Sequence, residues 1–183
     1  MPQVRHNQRG KRKFKFVAGA LVLAGLLGGA YWAYVYFGTL SDAQFDAALR
    51  QTEISAGNKD YAQEAQGLND LLSKSNTDIR KQIVLLRLGA AYANDKQYDK
   101  AIASYEKAAN NYPDSKAAGT RGLAFLYMNR GKETKNVADL QQSQSYFEQA
   151  LELEKQNEKY RSYVQNEELN IIYIKGLIKD ASK

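Results

Sequence analysis

The chain has 183 residues, 44% of them hydrophobic, with thirteen glycines and two prolines; this favours helix and leaves room for one domain of common size plus an accessory segment. Cysteine is absent, which excludes disulfides, thiolate zinc sites and cysteine nucleophiles. The net charge of +6 is concentrated in residues 1–16, where Arg5, Arg9, Lys11, Arg12, Lys13 and Lys15 have no acid beside them; the other 20 basic residues are matched by 20 acids, so the body of the chain has no electrostatic footprint for DNA or RNA.

In chain order, residues 1–15 form a polar, basic tail. His6, the one histidine, has no second ligand beside it and reads as a solvated tail residue rather than a metal ligand or base. Phe16 to Phe37 has no charged residue. Its 22 positions would span ~33 Å as a helix, against ~30 Å for a bilayer's hydrocarbon core. Tyr31, Trp32, Tyr34, Tyr36 and Phe37 cluster at its far end like an interfacial belt, and the basic flank before it is expected to stay cytoplasmic. The expectation is a single-pass cell-membrane protein, in lipid contact through residues 16–37, with everything after Phe37 extracytoplasmic.

Two other readings fit this segment less well. A buried core helix would not be hydrophobic all round over such a length. A cleaved signal peptide would use Gly28 and Ala30 before the cut, but the new N-terminus, YWAYVYF, would extend the apolar run instead of ending it. Gly25 and Gly29 form a G-x-x-x-G that lets two spans touch, as in a homodimer or partner contact; Gly and Ala are also common in spans that do not pair, so both readings stay open.

Ser41 with Gln44 fits a capping box, so a helix is expected from Asp42 to about Ala56, ended by Gly57 and Asn58. A second helix follows from Asp60 to about Lys74, with Tyr61, Leu68, Leu71 and Leu72 on one side. Ser75 to Asp78 is a polar connection. From about Gln82 two helices fold back on each other. Leu85, Leu88, Gly89 and Tyr92 share a face of the first; Tyr98, Ala101, Tyr105 and Ala108 share a face of the second; Pro113 stops it.

Leu85-x2-Leu88-Gly89-x2-Tyr92, then Ala101-x3-Tyr105, then Pro113, resembles the tetratricopeptide repeat, with Leu85 in place of the usual Trp and Tyr105 in place of Phe. Tyr61-x2-Glu64-x3-Leu68-x2-Leu71 echoes the second-helix spacing, a degenerate first copy with Glu64 where the crossing wants a small residue. Thr120-x2-Leu123-Ala124-x2-Tyr127 copies the first-helix pattern after an expected N-cap at Asp114 and is expected to end at Asn129-Arg130-Gly131. Ser143-x3-Phe147-x2-Ala150 follows, with seven extra residues in the turn around Lys132 to Ala138, read as a longer loop or an extra helical turn and a candidate contact surface. Residues 158–180 read as a capping helix with Tyr160, Val164, Ile171, Ile174 and Ile178 near one face.

The expected fold is therefore all-α: a tetratricopeptide-like α-solenoid over 41–183, with repeats at about 42–78, 82–115 and 117–157, preceded by one transmembrane helix. Nothing in this pattern is catalytic or calls for a cofactor or metal; paired acids such as Glu152 with Glu154, or Glu167 with Glu168, read as solvated helical faces. Tyr92, Tyr98, Tyr105 and Tyr127 fall at repeat-core positions rather than on a basic stacking surface.

The resemblance implies a non-enzymatic protein-binding role and a groove lined by the first helices. Ile83, Leu86, Ala90, Ala93 and Asn94 would face it from one repeat, and Ala118, Arg121, Phe125, Met128 and Asn129 from the next. Leu86 and Ala90 stand where members that clamp a C-terminal carboxylate need polar groups, so the implied ligand is a helix or extended apolar segment of a partner protein. The alternative occupant is the chain's own C-terminal helix. Two roles fit: a scaffold that assembles partners at the cell envelope, or a chaperone-like accessory to a secretion or insertion machine.

Overall fold

Ser41 caps the first described helix as its capping box demands. Its hydroxyl accepts from the Gln44 amide, and the Gln44 side chain accepts from the Ser41 amide at 3.0 Å. The computed structural model describes residues 40–182, and residues 41 onward form one compact unit. Seven α-helices run through it with no strand among the described residues: α1 Asp42–Gly57, α2 Tyr61–Lys74, α3 Asp78–Asn94, α4 Tyr98–Asn111, α5 Lys116–Thr134, α6 Val137–Lys155 and α7 Arg161–Ala181. Each packs chiefly on its chain neighbours, so α1/α2, α3/α4 and α5/α6 form three successive hairpins and α7 closes on α6. No helix among the described residues is long and apolar enough to cross a membrane. The expected span Phe16–Phe37, with Gly25 and Gly29, lies outside them.

All three hairpins turn the same way. Each places a lysine in the left-handed region, Lys59 (φ 60°), Lys96 (φ 58°) and Lys135 (φ 55°). The amide after it reaches back to a carbonyl five residues earlier: Asp60 to Ser55 at 2.9 Å, Gln97 to Tyr92 at 2.8 Å and Asn136 to Gly131 at 3.0 Å. This is a Schellman closure, and it satisfies carbonyls that a helix end would leave unpaired.

Small residues sit where the hairpin helices cross. A Cβ on Gly89 would meet the Tyr105 ring at 2.6 Å, and one on Gly122 would meet the same ring at 2.4 Å. Tyr105 is thus wedged between the second and third hairpins, and its burial pushes the phenol pKa up to about 12. In the third hairpin, fully buried Ser143 donates from its hydroxyl to the Ala124 carbonyl at 2.8 Å. In the first, the close approach is between Gly67 and Thr52, one turn beyond Glu64. Glu64 is itself buried, its pKa raised by desolvation and partly offset by Arg87.

Three boundaries differ from the sequence reading. α3 begins at Asp78, capped by Thr77, ahead of the expected start near Gln82. Pro113–Ser115 forms a 3-10 turn, so Ser115 rather than Asp114 stands before α5. Gly131 does not end α5: it packs on Leu140 and the helix continues to Thr134. The extra residues of the third repeat therefore lengthen its two helices to 19 residues each, against 17 and 14 in the second, and the turn stays short. Of the four repeat tyrosines, Tyr105 alone is wedged at a helix crossing. Tyr98 and Tyr127 are half-buried, with the Arg130 guanidinium over both rings and Tyr98 donating to Glu133 at 2.6 Å.

Candidate protein-binding face

The first helices of the first two hairpins, α1 and α3, are tied by ion pairs. Arg80 on α3 reaches Asp42 on α1, and Arg87 pairs with Glu53 at 2.7 Å. Between α5 and α7, Arg121 approaches Glu167 at 3.8 Å and the Lys132 ammonium donates to the Tyr173 hydroxyl at 3.2 Å. Helical spacing puts Ile83, Leu86, Ala90, Ala93 and Asn94 on one face of α3, and Ala118, Arg121, Phe125 and Asn129 on the corresponding face of α5.

Their environments differ. Ile83 is 37% exposed and Phe125 38% exposed. Phe125 stands edge-on to the buried Phe147 ring, 5.1 Å between centroids, which fixes its aim. Ala90, Asn94 and Asn129 are exposed; Leu86, Ala93 and Ala118 are half-buried. Met128 is buried in a core cluster with Leu140, Phe147, Leu151 and Ile174, so it supports the face from below. One exposed residue of the same strip was missed, Ile79. It was legible as the position one turn before Ile83.

Arg121 is turned inward. Its Nη1 donates to Glu154 Oε1 at 2.8 Å, its Nε lies 3.8 Å from Glu167 Oε1, and its guanidinium covers the Tyr163 ring at 4.3 Å. Glu154 is fully buried and Glu167 is 1% exposed, which overturns the expectation of solvated acidic faces. Glu154 Oε2 has no hydrogen-bond partner among the described residues. Burial raises the pKa of both carboxyls; Glu167 raises that of Glu154 further, while Arg121 opposes the shift in each. Two acids share one cation, and that cation is spent inside the structure rather than offered to a ligand. The sequence held no signal for this, since Glu154 and Glu167 sit in charged stretches like any surface helix.

Comparison with known proteins now has a geometry to meet. Residues 84–115 match one tetratricopeptide-repeat family model, and residues 126–157 match another. Both matched stretches are thus similar to tetratricopeptide repeats. The first match spans most of α3, all of α4 and the turn after it; the second spans the end of α5 and all of α6. No curated protein and no solved structure matches the chain. Such repeats suggest a protein–protein interaction scaffold.

Proposed function

We propose that the chain is a membrane-anchored scaffold that holds a partner protein on the first-helix face of its repeats. The observation that carries this is the set of exposed large apolar side chains on the corresponding faces of two first helices: Ile79 and Ile83 on α3, then Phe125 on α5. Apolar groups left in water at regular helical positions favour a ligand that lays an apolar edge along them, a helix or an extended segment. Leu86 and Ala90 offer no polar clamp, and Arg121 is neutralised by Glu154, so a terminal carboxylate is not the preferred ligand. The role is one of binding rather than catalysis.

The anchor in this proposal is Phe16–Phe37, with the basic tail cytoplasmic and the repeats on the other side of a cell membrane. Gly25 and Gly29 are its proposed helix-packing positions, able to pair two copies within the bilayer. The test is crosslinking in intact membranes, with mass spectrometry of what is attached to residues 41–183, repeated with Leu86→Glu and Phe125→Glu. Loss of a few defined partners in both variants, with helicity retained, supports a scaffold using this face. Capture of many unrelated unfolded chains indicates a chaperone-like accessory instead. Partners retained by both folded variants would remove the face from the proposal.

A further inference from the structure

α7 repeats the environment of a first helix without its second. Val84, Leu88 and Ala91 are buried on α3; Gly119, Leu123 and Leu126 are buried on α5; Glu167, Ile171 and Ile174 are buried on α7. The three sets have the same spacing of four and three, so they place the helices in register. The neighbouring row on α3 is Leu85 and Gly89, and on α5 Thr120 and Ala124; all four are buried, Gly89 under Tyr105 of α4 and Ala124 bonded by Ser143 of α6. On α7 that row is Glu168 and Ile172. Glu168 is exposed and Ile172 is 67% exposed. Among the described residues no helix follows α7 to cover them.

We infer that this face of α7 pairs with the same face of a second copy, each α7 serving as the missing second helix of the other. Within a hairpin the second helix runs antiparallel to the first. A two-fold axis through the middle of α7 supplies an antiparallel helix directly, and Ile172 lies one residue from the midpoint of Arg161–Ala181, so the pairing overlaps the whole helix. The charges suit that arrangement. Glu168 precedes Ile172, and Lys175 and Lys179 follow it, within about 60° of it around the helix. Antiparallel pairing brings Glu168 of each copy to Lys175 of the other, whereas parallel pairing would stack like charges. Neither Glu168 nor Lys175 has an ion-pair partner among the described residues. Leu169 would cross over the partner copy's Gly176, where a Cβ would meet nothing within 4 Å. This pairing depends on the fold alone and holds whatever occupies the first-helix face.

The chain has no cysteine, so one introduced thiol reports one position. The full chain in detergent micelles is oxidised as Ile172→Cys and, for comparison, as Lys107→Cys, an exposed position on α4. Pairing on a two-fold axis predicts a disulfide dimer at 172 that forms at least about tenfold faster than at 107, and the charge-reversal variants separate this pairing from association elsewhere in the chain. Adding Lys175→Glu to Ile172→Cys sets acid against acid and should slow the crosslink by about tenfold. Adding Glu168→Lys as well re-forms the pairs with signs exchanged and should restore it. Circular dichroism checks that each exposed-site variant stays helical. Equal rates at 172 and 107, or a rate at 172 unmoved by Lys175→Glu, would overturn the pairing.

Discussion

Removing the Arg121 guanidinium should make the stability of the repeats depend on pH in a calculable direction. Arg121→Met keeps much of the side chain's length and removes the one cation paired with Glu154 and Glu167. Breaking a buried ion pair from one side costs about 3–5 kcal/mol. Arg121 is 23% exposed at the side chain, so the lower end applies. The carboxyls can escape by taking up protons, because both have folded pKa values raised from 4.5. A group with a raised folded pKa stabilises the fold below its unfolded value and loses that contribution as pH rises through the folded one. The variant should therefore lose about 3 kcal/mol at pH 8 and less at pH 5, where proton uptake relieves the unpaired carboxyls. For a unit of this size the loss at pH 8 corresponds to a Tm lowered by about 10 °C, with a smaller shift at pH 5. Thermal unfolding of the full chain followed by circular dichroism at the two pH values measures both. A loss of equal size at each pH would mean that Arg121 acts through packing alone, and the charge argument would fail.

The same cluster sets the pH response of the unsubstituted chain: stability should decline as pH rises from about 4.5, and Glu167→Gln should flatten that decline in a denaturant series across pH 4.5–8. Gly119→Ala should destabilise by about 1–3 kcal/mol, although alanine is the better helix former, because the new Cβ would lie 2.9 Å from the Ala109 backbone nitrogen and the Tyr105 carbonyl oxygen, which cannot swing aside; a raised Tm would refute the close approach. Lys59→Gly should stabilise by about 0.5–1 kcal/mol by removing the left-handed strain of a side chain at φ 60°, whereas the same change at an exposed mid-helix position such as Lys107 should destabilise by about 1 kcal/mol. Ser143→Ala should cost about 1 kcal/mol, since it takes the hydroxyl from a fully buried carbonyl contact; urea unfolding midpoints measure it.

The sequence by itself determined what depends on neighbours along the chain. The α1 capping box needs only Ser41 and Gln44 three residues apart. The second-repeat hairpin needs only the 3.6-residue period, a small residue at 89 and Pro113 beyond the second helix. The exposed apolar strip at Ile83 and Phe125 follows from the same period. The tertiary structure decided what depends on residues far apart in sequence. Glu154 and Glu167 look like surface acids until α7 folds onto α5 and α6, and only then do Arg121 and its two carboxylates meet. Gly119 and Gly122 look like helix-weakening residues until α4 lies against them. The extra residues of the third repeat could have formed a loop or more helix; the close approach of Gly131 to Leu140, nine residues on, went with helix. Short-range hydrogen bonding and periodicity are written in adjacent residues; burial is a property of the assembled helices, and it is burial that turned two ordinary glutamates into the most consequential charges in the domain.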